Sequence, residues 1–302
     1  MTTRPETAAM DAHTPPAAEA RRMRLPAGLR AALPVLIFLL IGFAAPLLAV
    51  VGFSFMPART FGLGHTSTFE NYVTIFESTS YISLLWSLGL AVATVLILIV
   101  IAYPIAYGLV RVFGRWSTLV TLLFVIPIFV SENVRLYGWV LFLIKNGVLL
   151  GTLKTFFGVE PESMLFTTSA ILLGMVYVYL PFMLFPLTLG ISMVPNDARE
   201  AATDLGASRW QVFKEVELPL STPGLVIGCL LTFVLAVGAI AEYKVLGGQQ
   251  VIPITHDIEI AFTYAQNWPL GAALAVLLML IVGLLVLVAL RRFDLDRFLG
   301  RR

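Results

Sequence analysis

Apolar residues run along this 302-residue chain in long unbroken blocks, separated by shorter polar stretches. A block of about 20 apolar residues is the length that crosses a bilayer as a helix. Such blocks predict six spans, over 33–53, 82–109, from about Leu119 into Ser131–Arg135, 170–191, 223–241 and 270–290. Pro104 predicts a bend in the second span. Pro181 and Pro186 in the fourth fit either packing kinks or backbone carbonyls freed into a cavity at mid-depth. Residues 55–80 and 145–166 are more polar and are expected to connect spans outside the bilayer. Residues 1–32 lack apolar periodicity, are rich in Ala, Pro, Thr and Arg, and read as a flexible tail with Arg21, Arg22, Arg24 and Arg30 beside the membrane. The competing reading, a cleaved leader, is disfavoured because the apolar run from Leu33 exceeds a leader's core. The domain reading is therefore a tail, 1–32, and a membrane domain, 33–302.

One polar run between apolar blocks, 196–219, carries helix punctuation. Asn196 is placed to cap a short helix, with Asp197 in its first turn. Gly206 is placed to end it in a left-handed residue. Ser208 with Gln211 predicts a capping box for a second helix. Leu218, preceding Pro219, is expected to leave the helical region and end it.

Composition fixes the class. The chain is 59% hydrophobic and 13% charged, against about a quarter charged in soluble domains. Its single cysteine, Cys229, excludes an intrachain disulfide, and the three dispersed histidines give no metal-ligand spacing. No phosphate-binding P-loop sequence occurs, and no nucleophile, base and metal cluster converges, so neither an ATPase nor a membrane enzyme is indicated. No catalytic residue is assigned. Of the 20 Lys and Arg, the tail, the 111–115 loop, the 196–219 run and the C-terminus hold 5, 2, 3 and 5. The opposite loops hold five: Arg59, Arg135, Lys145, Lys154 and Lys244. By the positive-inside rule both termini and the 196–219 run face the cytoplasm.

The spacing Glu200-Ala201-Ala202, Gly206, Val216, Leu218-Pro219 resembles the EAA loop of permease subunits of ABC importers. Arg135-Leu136-Tyr137-Gly138, Val178–Met183, Leu246-Gly247-Gly248 and Asn267–Ala273 resemble landmarks of the spermidine/putrescine class, over about 80–290. The resemblance implies an all-α, six-span type I importer fold in a bacterial inner membrane. It implies a second homologous permease, two ATPase subunits that bind ATP and magnesium, and an external solute-binding protein. Nucleic acid is not implied. It assigns coupling to the ATPase to Glu200, Ala201, Ala202, Asp204, Gly206, Leu218 and Pro219, and the translocation of a small amine, polyamine-like, to the membrane domain.

Ionisable residues at membrane depth are candidates for the substrate path. Glu132, read as lying some 13 residues into the third span, either lines a path or pairs with Arg135 three residues on. Glu242 is read either as a solvated residue near the outer end of the fifth span or as an acidic contact for a cation. Tyr137, Tyr179, Tyr243 and Trp139 offer ring faces to an ammonium group, or anchor the interface. Lys244 departs from the class, which often carries an acid there. A free lysine would repel a polyamine and favour an opine, amino-acid derivative or aminophosphonate, unless Glu242 or a partner subunit neutralises it. A secondary transporter is the alternative from another class, but it has no need of the EAA spacing.

Overall fold

The computed structural model describes residues 27–62, 64, 66–158 and 162–292, and all described secondary structure is helical. Six helices among the described residues are long and apolar enough to cross a membrane. The chain divides into two compact units, Met1–Leu48 and Ala49–Arg302. The first contains most of α1 (Ala27–Ser54), whose side chains from Leu33 to Phe43 are largely exposed, as suits a helix facing lipid. The predicted tail falls mostly outside the described residues.

The second unit is built on three long helices: α3 (Ser80–Tyr107), α7 (Thr168–Ser192) and α10 (Leu218–Val237). Between them they bury Ala91, Leu98 and Ala102, then Met175, Met183, Leu187 and Ile191, then Ala236. Lipid supplies no hydrophobic drive between helices, so close backbone approach carries more of the packing. Gly190 and Gly224 supply it where α7 meets α10. A Cβ on Gly190 would lie 2.8 Å from the Gly224 Cα. One step along, a Cβ on Gly228 would lie 3.0 Å from the Met183 carbonyl oxygen. Pro181 and Pro186 both lie within α7, which begins at a Thr167 side chain accepting the Ala170 N–H at 3.2 Å.

A second apolar cluster joins α2 (Glu70–Glu77) and α3 to α12 (Ile254–Thr263) and α13 (Trp268–Arg292) through Ile75, Leu84, Ile254, Ala273 and Leu274. Buried Asn71 ties the start of this layer down, donating to the carbonyls of Ser54 at 3.1 Å and Met56 at 2.7 Å. The connection 55–80 thus contains a short helix where a plain connector was expected.

Three span boundaries differ from the sequence reading. The third span is not continuous from Leu119. Helix α4 (Ser117–Val125) tightens into a 3₁₀ turn at Ile126–Phe129, Val130 and Ser131 are extended, and α5 (Glu132–Leu143) starts afresh. Pro127, lacking an N–H, sits at the start of that tight turn, and the uniformly apolar sequence hides the break. Glu132 is therefore the first residue of a new helix and not part of one continuous from Leu119. Part of 145–166 is helical, as α6 (Val148–Phe157), and together with α5 it forms an apolar stretch of spanning length. The fifth span starts earlier than Pro223, at Leu218, and stops at Val237. Glu242 lies beyond it on a separate short helix, α11 (Ala241–Val245).

The helix does not end at Leu218. Leu218 has helical angles (φ −62°, ψ −48°) and passes directly into α10. The preceding turns, Val212–Glu217, are π-helical. Their wider ring makes room ahead of Pro219, which stands in the first turn of α10, where an N–H is dispensable.

Candidate coupling loop and cation path

The polar run folds as α8 (Asn196–Asp204), a glycine turn, and α9 (Arg209–Gln211), which continues into the π-helical Val212–Glu217. Gly206 has φ +86°, the left-handed conformation the sequence calls for. The Ser208–Gln211 capping box is present, with the Ser208 N–H donating to Gln211 Oε1 at 2.8 Å and the Gln211 N–H to Ser208 Oγ at 3.3 Å. Asn196 is not the cap. Pro195 holds that place, and the Asn196 side chain instead accepts a hydrogen bond from Arg111 Nη1 at 2.7 Å. A cation from a distant segment has taken the oxygen that would have capped the helix.

Glu200, Ala201, Asp204, Gly206 and Pro219 are exposed, Ala202 and Leu218 half-buried, and α8 buries no residue. Two apolar side chains of the loop are exposed, Leu205 at 89% and Trp210, stacked on Phe213 at 5.2 Å, at 68%. Sequence reasoning passed over both, although an isolated Leu and Trp in a polar run are the available signal. The loop thus presents small residues flanked by two apolar projections to whatever lies beneath.

The path candidates do not form one surface. Tyr137 is exposed, whereas Tyr179 and Tyr243 are buried. Glu132 and Arg135 are each half-buried, and no ion pair joins them. The Arg135 guanidinium instead lies 5.8 Å from the Tyr177 ring centroid. Glu242 is not solvated: its exposure is 0% and neither carboxylate oxygen has a well-formed hydrogen bond. Burial pushes its carboxyl up to about 7, helped by the charge of Glu132, while the Tyr179 hydroxyl acts the other way. Glu242, Glu132 and Tyr179 thus converge from three elements.

Lys244 is neither free nor matched to Glu242. Its Nζ donates to both carboxylate oxygens of Glu259, at 2.7 and 2.6 Å, and His256 Nδ1 lies 3.6 Å from the same carboxylate. The lysine hydrogen bonds hold Glu259 below the usual carboxylate range. Between α7 and α10 lies a cavity of 680 Å³ walled by Phe182, Phe185, Leu189, Leu220, Ile227 and Leu231. Its apolar lining suits no cation. Among the described residues, no cluster of His, Cys, Asp and Glu could hold a metal ion.

Six helices of membrane-spanning length and a projecting polar helix-turn-helix fit a membrane transport subunit. Residues 99–297 match the family of binding-protein-dependent transport system inner membrane components, and the chain belongs to that family. It is therefore a multi-pass protein of the bacterial inner membrane. It is 33% identical over 250 residues to the spermidine/putrescine transport system permease protein PotB of Escherichia coli K12, covering 80% of this chain and 89% of that one. It is 35% identical over 227 residues to PotB of Haemophilus influenzae, covering 74% and 79%. To the molybdenum transport system permease protein ModB of Mycobacterium bovis it is 28% identical over 214 residues, covering 70% and 80%. Its fold is shared with a solved bacterial ABC transporter involved in importing the acidic polysaccharide alginate. The TM-score there is 0.65 at 18% identity, covering 87% of this chain and 94% of that chain.

Proposed function

We propose that this chain forms half of the translocation path of an ATP-driven polyamine importer. A second homologous permease supplies the other half, and two ATPase subunits, which bind ATP and magnesium, supply the energy. A solute-binding protein delivers cargo from outside. The exposed α8–Gly206–α9 surface, with Glu200, Ala201, Ala202, Asp204, Leu205 and Trp210, docks on the ATPase. ATP-driven closure of the ATPase pair draws the loops together and opens the path outward, and hydrolysis resets it. Leu218 and Pro219 join this surface to the fifth span.

The likeness to the two PotB proteins supports a spermidine- or putrescine-like cargo. The observation that carries the reading within this chain is the buried, unsatisfied carboxylate of Glu242 beside Glu132. A desolvated carboxylate without a partner is costly, and an ammonium group on a flexible carbon chain would satisfy it. Tyr179 and Tyr243 flank that site, Arg135 lies one turn from Glu132 on α5, and Tyr137 is exposed. The chief objection to a cationic cargo, an unpaired Lys244, is met by Glu259. The zwitterion alternative would have to place its anion at a Lys244 already paired with Glu259.

The test is ATP-dependent uptake of labelled spermidine and putrescine by the reconstituted importer with its binding protein. Aminophosphonates and opine-like amines serve as competitors. Glu242→Gln is expected to lower polyamine uptake by about ten-fold or more, the scale of one lost charge-assisted hydrogen bond. Uptake of only the carboxylate- or phosphonate-bearing amines would overturn the polyamine reading.

A further inference from the structure

Helix α8 has nine residues and buries none of them. A helix that short is not stable by itself; it lies against the π-helical Val212–Glu217 with only Ala198, Arg199 and Ala202 half-buried. Charge strengthens that shallow contact. Glu217, 1% exposed, closes the π-helical segment directly before α10, and its Oε1 is in ion-pair contact, without hydrogen-bond geometry, with Arg199 Nε on α8. The same oxygen lies 3.9 Å from Nε of Arg111, which belongs to the π-helical turn Gly108–Val112 ending α3. Arg111 then reaches the other way. Its Nη2 donates to the carbonyls of Val194 at 2.9 Å and Ile191 at 3.3 Å, at the C-terminal end of α7. Its Nη1 holds Asn196 at the start of α8.

We infer that Glu217, bridged to Arg199 and Arg111, is the joint that fixes the coupling helix rigidly to the second, fourth and fifth spans. This rests on the reading of α8 as the surface that docks on the ATPase. Two arginines from separate elements converge on one buried carboxylate, and Arg111 also bonds carbonyls at the C-terminal end of α7, where a cation is favoured. The other half of the loop has an independent apolar hold. Phe213 packs edge-on against Tyr103 of α3 at 5.4 Å, and the Tyr103 hydroxyl meets Ser221 Oγ at 3.0 Å. The carboxylate therefore matters for α8 alone. With Glu217 in place, a push on α8 moves three spans as one body. Without its charge, α8 moves against them and the push is absorbed in the loop. Glu217 is a positioning residue and touches no substrate.

The test uses the full importer and the permease pair without ATPase, in a Cys229→Ser background. Spin labels at Asp197→Cys and Arg115→Cys report the distance between α8 and the 3₁₀ turn Gly114–Trp116 that follows the second span. In the otherwise unaltered chain the distance distribution is narrow and stays so when ATP is added. In Glu217→Gln or Arg199→Gln it broadens, the ATPase still co-purifies, and spermidine taken up per ATP hydrolysed falls about five-fold or more, the low end of ordinary site-to-site coupling. Arg199→Lys, which keeps the charge, restores both readouts. A distribution as narrow in both Gln variants as in the parent would overturn the inference, as would hydrolysis and uptake falling in equal proportion. Failure of the parent chain to associate with ATPase would instead count against the docking reading. The distance measured in the permease pair would still decide the joint.

Discussion

Glu242 shows how a residue's meaning changes with its surroundings. In sequence it is one acidic residue near the end of an apolar block; in the folded chain it is fully enclosed beside Glu132. Its carboxyl is raised from 4.5 to about 7, chiefly by burial. The folded protein therefore holds this proton more tightly than the unfolded chain. The sign follows: the stabilisation is fully present below the unfolded value and is lost as pH rises through the folded one. Across that window the change is on the order of 3 kcal/mol. Thermal unfolding in detergent from about pH 5 to pH 8 should show the parent losing stability relative to Glu242→Gln. Parallel curves would mean that the carboxyl is not held protonated. The groups facing it, Glu132 on α5 and Tyr179 on α7, stay unchanged in that comparison, so the difference isolates Glu242.

Among elements, what was legible and what was not separates cleanly by physical cause. The second, fourth and sixth spans were legible because each is one apolar block whose neighbours do not alter its length. The break at Val130–Ser131 was hidden because both flanks are apolar and only Pro127 hints at it. Continuation through Leu218 was missed because the preference of a residue before proline is local. The π-helical turns ahead of Pro219 relieve the clash that the preference expresses. The EAA spacing was readable since it is contiguous, whereas the partners Lys244–Glu259 and Arg111–Glu217 join separate elements and no local pattern encodes them. The glycines at the α7–α10 crossing belong to this scale too. Gly190→Ala would drive a methyl to within 2.8 Å of the Gly224 Cα, where backbone faces backbone and neither side can turn away. Forcing the pair apart should cost about 1–3 kcal/mol and lower the unfolding temperature. Gly89→Ala, with nothing within 4 Å of the added Cβ, serves as the control. An equal effect of the two would remove the crossing from the explanation.

At the scale of the whole molecule, orientation decides whether the parts act together. The coupling surface is useful only where ATP is, and the Glu242 carboxylate only if cargo reaches it from the far side. Two independent features bear on this. Fifteen of the 20 Lys and Arg fall in the tail, the 111–115 loop, the coupling loop and the C-terminus, the bias that retains loops in the cytoplasm. Separately, α10 runs from the coupling loop to Val237, a span's length, before the turn into α11 and Glu242. The coupling loop and the 241–259 region are thus at opposite ends of one helix, and fixing the side of either fixes the other. Replacing Cys229 by serine leaves a background without thiols, since it is the chain's single cysteine. Glu200→Cys and Gln250→Cys then place a thiol at an exposed position at each end. A membrane-impermeant maleimide should label Glu200→Cys only in inverted vesicles and Gln250→Cys only in right-side-out ones. Labelling of both in the same vesicles would break the link between α10 and a single crossing. The reverse assignment would put the coupling loop outside, where no ATPase could meet it, and the importer reading would fall with it.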